Sequence, residues 1–441
     1  MSRSIRIKGP ASVSGIADVP GDKSISHRVA ILASLANGPS QIRGFSSSVD
    51  CGTTLSCIEN LGVRITRHPQ ELIIHGVGLR RYRPAREPVK LDAGNSGTTI
   101  RILSGVLAAQ AFTSELDGDA SLRRRPMGRI IEPLGLMGAR IETREGKRAP
   151  LNISGGPLHA ISYSSPVASA QVKSCVLFAG LHADGTTTVS EPAQSRNHSE
   201  LMLREFGARI EFGEGGLVSR IAGGVEFLPL EYHVPGDLSS AAFLIAAVLI
   251  TSGSHVLIRG VNLNPTRAAF LDVLNSIGAG IVRQNERIHH GELVGDLEVS
   301  SGRLQHVGRP TPVAGDIIPN LIDEIPILAV IGAHVEGGLE VRGAKELRIK
   351  ESDRIRTIVD GMRALGADIE EFDDGFAVPG PQVLSGGNVD SAGDHRIAMA
   401  FTVAGLAASG ATAISGAECA EVSFPEFYTM INTLTGGKAI S

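Results

Sequence analysis

The sequence predicts an α/β protein with two domains, built from six copies of a βαβαββ-like unit. A chain of 441 residues exceeds the length at which one hydrophobic core stops growing, so two domains are expected. Apolar residues make up 42% of the chain and charged residues 20%, which is the composition of a folded globular protein. Two helix landmarks also recur in alternation, and their spacing of about 70 to 85 residues indicates a repeat architecture.

The first landmark is a polar start containing Gly, Ser or an acid, followed by a run of Ala, Leu, Ile and Val. It occurs at Gly21-Asp22-Lys23-Ser24, Gly94-Asn95-Ser96-Gly97, Ser169-Ala170-Gln171, Gly236-Asp237-Leu238-Ser239, Ile322-Asp323-Glu324 and Gly393-Asp394-His395-Arg396. Each copy predicts a helix with a capping residue at its N-terminus and a largely buried body.

The second landmark is an amphipathic helix that ends in a hydrophobic residue and Gly, with an Ile shortly afterwards. Its copies are Leu61-Gly62, Met137-Gly138, Phe206-Gly207, Ile277-Gly278 and Leu365-Gly366, with a degenerate sixth copy at Thr435-Gly436. The Gly predicts a helix stop, and the Ile predicts the start of the next strand. Short runs rich in Ile, Leu and Val between the landmarks, such as residues 71–75 and 255–258, predict further strands.

We expect the six units to form two groups of three, with the boundary near residues 234–236. The N-terminal domain then spans residues 21–235, and the C-terminal domain spans residues 1–20 plus 236–441. The first segment is assigned to the second group because its β-like run, residues 5–8, precedes the first unit and could pair with the distal half. The alternative is a generic α/β chain without internal symmetry, which the regular spacing disfavours.

The composition argues against several classes of function. The net charge is −4 and Trp is absent, which gives no support for a nucleic-acid partner. The longest apolar run, residues 241–250, is about half of a membrane span, and the N-terminus lacks the pattern of a signal peptide. The four cysteines have neither CxxC spacing nor matching histidines, so no metal site is predicted. We therefore expect a cytoplasmic protein that binds neither nucleic acid nor membranes.

The six helix starts are candidate anion sites, because unpaired backbone N–H groups and the helix dipole favour phosphate there. The first start has the most groups: Lys23 offers a point charge, Ser24 a hydroxyl and Arg28 a bidentate guanidinium. A solvated helix start is the alternative, although the apolar residues that follow give no reason for two cations. The sequence contains neither a GxxxxGK[ST] motif nor a GxGxxG motif, so no pattern indicates that the protein binds a nucleotide.

Polar clusters follow in both halves of the chain. The small-residue turn at residues 94–97 lets a ligand approach the backbone closely, and three arginines at 123–125 follow in the same unit. In the distal half, Asp323 and Glu324 open the fifth helix, and charges alternate over residues 345–354. These acids can be helix caps or members of a surface charge ladder, or they can be carboxylates placed for acid–base chemistry.

Seven motifs, taken in order, resemble those of the 5-enolpyruvylshikimate-3-phosphate synthase family. They lie at residues 21–28, 94–98, 125–127, 169–173, 323–326, 350–354 and 394–396. The resemblance implies a two-domain inside-out α/β barrel of six βαβαββ repeats, the enolpyruvyl transferase fold. It also implies transfer of the enolpyruvyl group of phosphoenolpyruvate to the 5-hydroxyl of shikimate 3-phosphate, with release of phosphate, in the shikimate pathway. The implied enzyme is a monomer without a metal or organic cofactor.

The resemblance also assigns roles to residues. The expected shikimate 3-phosphate contacts are Lys23, Ser24, Arg28, Ser169, Ala170, Gln171, Asp323 and Lys350. The expected phosphoenolpyruvate contacts are Lys23, Asn95, Gly97, Arg125, Gln171, Arg354 and Arg396. Asp323 is expected to accept the proton of the 5-hydroxyl, and Glu351 is expected to donate a proton to the methylene carbon. With Lys23, these two carboxylates form the expected catalytic set.

The chain departs from the family pattern in two places. Many members carry a Lys just before a Thr-Phe-Pro sequence, whereas Val422 precedes Ser423 here, so that anion contact is missing or supplied by another residue. Residues 169–173, 196–199 and 264–267 resemble the class with low sensitivity to glyphosate, yet some tolerant members carry Ala where this chain has Gly97. Two alternatives stay open: a UDP-N-acetylglucosamine enolpyruvyl transferase, and a non-catalytic ligand-binding protein with the same repeats.

Overall fold

A computed structural model describes residues 4–305 and 310–441. The strands are β1 (Ser4–Gly9), β2 (Ser14–Ala17), β3 (Asn37–Arg43), β4 (Arg64–Arg67), β5 (Glu71–Val77), β6 (Val89–Asp92), β7 (Thr113–Asp117), β8 (Arg140–Arg144), β9 (Arg148–Ser154), β10 (Leu158–His159), β11 (Ser162–Ser164), β12 (Ala183–Asp184), β13 (Thr186–Ser190), β14 (Ile210–Gly213), β15 (Val218–Ala222), β16 (Glu231–His233), β17 (His255–Asn262), β18 (Gly280–His289), β19 (Glu292–Ser300), β20 (Thr311–Val313), β21 (Leu339–Val341), β22 (Glu370–Phe372), β23 (Gly375–Val378), β24 (Asn388–Asp390) and β25 (Gly410–Ser415). The helices are α1 (Lys23–Ser34), α2 (Val49–Asn60), α3 (Gly97–Leu107), α4 (Gly128–Leu136), α5 (Ala170–Gly180), α6 (His198–Glu205), α7 (Leu238–Ile250), α8 (Ala269–Ser276), α9 (Ile318–Leu321), α10 (Ile325–Gly332), α11 (Arg354–Ala364), α12 (His395–Ala407) and α13 (Phe427–Leu434).

The predicted βαβαββ unit is confirmed, and the second copy shows it most directly. Its sheet has the strand order β6-β7-β9-β8, in which β6 and β7 are parallel and the remaining pairs are antiparallel. Helix α3 connects β6 to β7, and α4 connects β7 to β8. The sheets β11-β13-β15-β14 and β20-β21-β23-β22 repeat this order. A parallel pair needs a crossover connection, and in these three units a helix between the first two strands supplies it.

Three units are completed by strands from distant parts of the chain. The first sheet, β16-β3-β5-β4, takes its parallel edge strand from residues 231–233, and the fourth, β18-β19-β17-β2, takes its edge strand from residues 14–17. In the last sheet, β1 pairs antiparallel with β25, which confirms that the run at residues 5–8 pairs with the distal half. Ile7 also forms a bridge to Ile440, so the degenerate sixth copy ends in a single bridged residue instead of a strand.

The second helix of each unit (α2, α4, α6, α8, α11 or α13) ends before a glycine, as the second landmark predicted. In each case the helix stops one or two residues before a glycine with a left-handed backbone, which removes the steric cost that a side chain would bring. These glycines are Gly62 (φ 91°), Gly138 (φ 97°), Gly207 (φ 89°), Gly278 (φ 75°), Gly366 (φ 80°) and Gly436 (φ 66°).

The helix that opens each unit is capped by a side chain, as predicted, in five of the six units. The exception is α10, in the fifth unit. Side-chain oxygens that accept a hydrogen bond from the helix backbone belong to Asp22, Ser96, Ser169, Asp237 and Asp394. At α10 the prediction of a cap is wrong, because the side chain of Glu324 makes no capping bond. Glu324 instead pairs with the guanidinium of Arg267, and because both side chains are buried, leaving either charge unpaired would cost more than a cap provides.

The chain divides into two units, each with its own hydrophobic core. The N-terminal unit consists of Gly21–Val234 and His289–Glu292, and the C-terminal unit consists of Met1–Pro20, Pro235–Ile288 and Leu293–Ser441. Helices α1, α3 and α5 supply the most buried residues of the first core, and α7, α10 and α12 those of the second. Within the described ranges, no helix is long and apolar enough to cross a membrane. Within the same ranges, no three His, Cys, Asp or Glu side chains form a group that could hold a metal ion.

Candidate active site

In the N-terminal unit, side-chain hydrogen bonds link the starts of the three central helices. His27 on α1 and Thr99 on α3 are both bonded to Thr54 of α2, over 2.7 Å and 2.6 Å. Gln171 on α5 donates to the Thr98 hydroxyl of α3 over 3.0 Å. The first turns of α3 and α5 are therefore linked directly, and α1 is linked to α3 through Thr54 of α2.

Lys23 is the first residue of α1 and forms an ion pair with Asp50 of α2. The Lys23 side chain is 20% exposed and that of Asp50 8%, so the ammonium remains within reach of a ligand. Burial lowers the pKa of the His27 imidazole well below its usual value, and the charges of Lys23 and Arg28 lower it further. His27 is therefore neutral, and its hydrogen bond fixes the start of α1.

Arg28 is a buried arginine whose hydrogen bonds all go to neutral acceptors. Its Nε donates to Ser199 Oγ over 2.7 Å, its Nη1 to the Ser24 carbonyl over 2.8 Å, and its Nη2 to Ser174 Oγ over 2.9 Å. Burial lowers the pKa of Arg28 to about 10, and the charge of Glu200 offsets only part of that effect. The guanidinium is thus a positive charge that a dianionic ligand would stabilise.

A second cationic group surrounds the start of α3. Arg125 Nη2 donates to Asn95 Oδ1 over 2.7 Å, and Asn95 donates to Asp119 over 2.6 Å. A Cβ atom added to Gly97 would lie 3.3 Å from Arg125 Nη1 and 2.7 Å from Arg101 Nη1. The structure therefore brings Asn95, Gly97 and Arg125 together, and the absence of a side chain at Gly97 leaves the space that the two guanidiniums occupy.

The start of α5 places Ser169, Ala170 and Gln171 side by side. Ser169 caps the helix through its hydroxyl, and its backbone N–H donates to Glu191 Oε1 over 2.7 Å. The Oε1 atom of Gln171 accepts from Arg101 over 2.7 Å. This start therefore connects the surroundings of Arg28 with the cationic group at α3.

In the C-terminal unit, one buried arginine gathers three carboxylates. Arg354 Nε lies 2.8 Å from Asp394 Oδ2, Arg354 Nη2 lies 2.6 Å from Glu351 Oε2, and Arg354 Nη1 lies 3.6 Å from Asp323 Oδ1. Burial alone would lower the pKa of Arg354, but Asp394, Glu351 and Asp323 raise it above its ordinary value. In the same way, Arg354 outweighs the effect of burial on Asp394 and lowers the pKa of that carboxyl.

Arg396, at the start of α12, holds the segment before α10 in place. Its Nη1 donates to the Asp323 backbone carbonyl over 3.0 Å, and its Nη2 lies 3.7 Å from Asp323 Oδ2. The same guanidinium lies 3.8 Å from the buried carboxylate of Glu324. Asp323 is therefore held from two sides by cations while 20% of its side chain remains exposed.

The sequence left two interpretations open for residues 345–354, a surface charge ladder and a carboxylate held among cations, and the structure contains both. Lys350 Nζ pairs with Glu346 Oε1 over 2.9 Å, as in a charge ladder, and both side chains are partly exposed. Glu351 instead points to Arg354 and joins the carboxylate group. The structure thus brings Asp323, Glu351, Arg354 and Arg396 together, whereas the ion pair of Lys350 is with a residue outside that group.

Several residues that support these groups were not singled out from the sequence. They are Asp50 beside Lys23, Arg101 beside Gln171, Glu191 beside Ser169 and Arg267 beside Glu324. Arg101 follows the small-residue turn by one helical turn, which is the only sequence signal among them. The other three find their partners through tertiary packing.

Comparison with known proteins gives a consistent relationship over nearly the whole chain. The sequence pattern of one family, EPSP synthase (3-phosphoshikimate 1-carboxyvinyltransferase), matches residues 7–431. The 3-phosphoshikimate 1-carboxyvinyltransferase of Solibacter usitatus is 49% identical over 430 residues, covering 97% of this chain and 99% of that protein. That of Koribacter versatilis is 48% identical over 431 residues, covering 98% and 99%.

Solved structures agree with the sequence comparison. An EPSP synthase from Acinetobacter baumannii has a TM-score of 0.87 and 40% identity, covering 100% of this chain and 99% of that one. The enolpyruvyl transferase NikO from Streptomyces tendae has a TM-score of 0.80 at 17% identity, with coverage of 100% and 99%, and shows a shared fold. The predicted enolpyruvyl transferase fold is therefore confirmed, and the chain belongs to the EPSP synthase family, the 3-phosphoshikimate 1-carboxyvinyltransferases.

Proposed function

We propose how this chain's residues carry out the reaction of its family, the transfer of the enolpyruvyl group of phosphoenolpyruvate to the 5-hydroxyl of shikimate 3-phosphate. A proton adds to the methylene carbon of phosphoenolpyruvate, and the 5-hydroxyl attacks C2 as it loses its own proton. The tetrahedral adduct then loses a proton from the new methyl group, and its C–O bond to phosphate breaks. The products are the enol ether and inorganic phosphate.

Shikimate 3-phosphate is held by the start of α1 and the start of α5. Arg28, Lys23 and Ser24 bind its anionic groups, together with Ser169, the backbone of Ala170, and Gln171. The observation that carries this assignment is the set of neutral acceptors around Arg28, because a buried guanidinium without a contacting carboxylate favours a dianion. Lys350 and Asp323 complete the contacts from the C-terminal unit.

Phosphoenolpyruvate is bound by the cationic groups of both units. Asn95, Gly97 and Arg125 lie together at the start of α3, where Gln171 is linked to the same helix. Lys23 contributes from α1, and Arg354 and Arg396 contribute from the C-terminal unit. A phosphate and a carboxylate on one small substrate require several Arg and Lys groups, and these same charges stabilise the transition state.

The two proton steps are assigned to Asp323 and Glu351, and Lys23 is the third member of the proposed catalytic set. Asp323 lies between two arginine guanidiniums, and a carboxylate held in this way is suited to accept the proton of the 5-hydroxyl. Glu351 pairs with Arg354, and a neighbouring cation favours the charged form of any carboxylate. A bound anion at Arg354 would compete with that ion pair, so substrate binding allows Glu351 to take up the proton that it donates.

The same resemblance leads us to propose a cytoplasmic enzyme that acts as a monomer and needs neither a metal ion nor an organic cofactor. Its partners are then the two small substrates alone. Phosphate release should therefore require both shikimate 3-phosphate and phosphoenolpyruvate and should not respond to chelators. Release that depends on UDP-N-acetylglucosamine, or on an added metal ion, would contradict the proposal.

The residue roles are tested by Asp323→Asn and Glu351→Gln. Each change should lower turnover by roughly 10²–10⁴-fold while substrate affinity stays within a few-fold, because an amide keeps the shape but cannot exchange the proton. Phosphate release gives the turnover, and equilibrium binding gives the affinity. Asp360→Asn is the matched control, since Asp360 forms an exposed ion pair with Arg356 on α11. Near-normal turnover in either amide variant would show that its carboxylate is only structural.

A further inference from the structure

A buried ion cluster lies behind the start of α5. Lys173 Nζ is 2.8 Å from Glu191 Oε2 and 2.8 Å from Glu200 Oε1, and each of the three side chains is at most 2% exposed. A buried cluster of this kind is costly to desolvate and contributes little net stability. Its position next to the proposed shikimate 3-phosphate contacts therefore calls for a second explanation.

Glu191 connects two loops that precede helices. Its Oε1 accepts from the backbone N–H of Ser169, immediately before α5, and its Oε2 accepts from Ser195 Oγ, two residues before the α6 cap position, Asn197. Both bonds are 2.7 Å long, in the range of strong charge-assisted hydrogen bonds. One carboxylate therefore fixes the entry of α5 relative to the entry of α6.

The residues that hold Arg28 are the sequence neighbours of this cluster. On α5, Lys173 belongs to the cluster and Ser174 accepts from Arg28. On α6, Glu200 belongs to the cluster and Ser199 accepts from Arg28. Adjacent helix residues move together, so any shift of α5 against α6 would alter the position of the Arg28 guanidinium.

We propose that Glu191 is a positioning residue for shikimate 3-phosphate, which it never touches. It sets the backbone of Ser169 and Ala170 and, by holding the entry of α5 against the entry of α6, the geometry of the Arg28 site. This inference rests on the proposed function, since it assumes that the starts of α1 and α5 hold that substrate. A rigid support of this kind reduces the ordering cost of binding, so its loss should appear in substrate affinity.

The test compares Glu191→Gln with Glu200→Gln. Both changes remove one carboxylate from Lys173, but only Glu191 also binds Ser169 and Ser195. A glutamine at 191 has one acceptor oxygen instead of two. If that oxygen accepts from Ser169, the amide N–H₂ faces the Lys173 ammonium, and this repulsion displaces the side chain from the loop contacts. We expect Glu191→Gln to raise the KM for shikimate 3-phosphate by about 10-fold or more, with the KM for phosphoenolpyruvate and kcat within about threefold. Glu200→Gln should change the shikimate 3-phosphate KM by less than about threefold.

The stability of both variants is measured by thermal unfolding, so that an effect on folding is separated from an effect on position. If Glu191→Gln does not fold, Ser195→Ala replaces it, because this change releases one loop while leaving the ion cluster intact, and a rise of two- to fivefold in the same KM is expected. Equal KM changes in the two glutamine variants, or an unchanged KM in a folded Glu191→Gln or Ser195→Ala protein, would overturn the proposal. A wild-type protein that releases no phosphate with both substrates would instead contradict the proposed function itself.

Discussion

Arg28 in the N-terminal unit and Arg354 in the C-terminal unit are both buried at the start of a helix, but their surroundings are opposite. Arg28 donates to two serine hydroxyls and a backbone carbonyl, and burial lowers its pKa to about 10. Arg354 is surrounded by Asp394, Glu351 and Asp323, which together raise its pKa. One guanidinium keeps a positive charge that its contacts do not neutralise, while the other is surrounded by more negative charge than it carries.

The difference matches two tasks in one reaction. A substrate phosphate binds most strongly where a cation lacks a competing carboxylate, which is the situation of Arg28. Proton transfer requires carboxylates held at fixed positions among cations, which is the situation of Asp323 and Glu351. On the proposed roles, the N-terminal unit would bind a permanent anion, and the C-terminal unit would keep acid–base groups in place.

The largest expected effect is on the free energy of unfolding, which should fall more for Arg354→Met than for Arg28→Met. Arg354→Met would leave Asp394 and Glu351 without their shared cation, and breaking a buried ion pair costs about 3–5 kcal/mol. Arg28→Met removes bonds to neutral groups, two of which already bond to each other as Ser174 and Ser199, so a cost of about 1 kcal/mol is expected. Urea unfolding followed by circular dichroism measures both values.

Binding measurements should give the reverse order for shikimate 3-phosphate. Arg28→Met should weaken its binding by roughly 30-fold to 5,000-fold, because a desolvated charge-pair partner is worth about 2–5 kcal/mol. Equilibrium titration of the folded variant tests this value. If Arg28→Met were the more destabilising of the two changes, or if it bound shikimate 3-phosphate normally, the comparison between the two units would be wrong.

The next effect concerns the free energy of unfolding at acidic pH, where protonation of His182 would add a positive charge to the N-terminal unit. His182 is buried, and burial together with the Arg80 charge lowers its pKa to about 3. The unfolded chain protonates this residue below about pH 6.5, whereas the folded chain does not until the pH approaches 3, so stability falls as the pH is lowered through this range. The loss is about 2 kcal/mol at pH 5 and disappears near pH 7.

His182→Leu should flatten this acid dependence of the unfolding free energy, measured by urea unfolding between pH 7 and pH 5. His255→Leu is the control, because His255 is exposed on β17 beside Glu298. Both variants could instead show the same pH dependence of the unfolding free energy as the unchanged protein. Burial in the N-terminal unit would then not disfavour an added positive charge, which the comparison of Arg28 with Arg354 requires.

Much of the fold could be predicted from the sequence because it follows from local rules. A glycine after an amphipathic helix and a polar residue before an apolar run act within a few residues, and both landmarks were found where the structure has helix ends and starts. The exception is Glu324, whose partner Arg267 lies 57 residues away. No local pattern reveals that contact, so the sequence suggested a cap where the structure has an ion pair.

The residues of the candidate site also fall into those that a local pattern reveals and those that depend on tertiary packing. The residues at helix starts, such as Lys23, Arg28 and Asp323, were found because the helix start itself is a local pattern. Asp50, Glu191 and the assembly of carboxylates around Arg354 depend on which elements pack together, and this information lies in pairings between distant segments. The sequence therefore located the groups proposed to contact substrate better than the groups that position them.

The smallest expected effect tests the space around the second cationic group of the N-terminal unit. A Cβ atom at Gly97 would lie 2.7 Å from Arg101 Nη1 and 3.3 Å from Arg125 Nη1, so Gly97→Ala must move at least one flexible guanidinium. We expect the KM for phosphoenolpyruvate to rise by about 10-fold, or about 1.4 kcal/mol, because Arg125 is one of its proposed ligands and Arg101 holds another, Gln171. Inhibition by glyphosate should weaken as well, and the KM for shikimate 3-phosphate should change by less than about threefold, since Arg28 is untouched. Gly135→Ala on α4 is the control, because a Cβ there would meet nothing within 4 Å. A Gly97→Ala enzyme with an unchanged phosphoenolpyruvate KM would show that Arg101 and Arg125 shift without loss, and the start of α3 would then not be the tightly built anion site that separates this unit from the carboxylate-rich one.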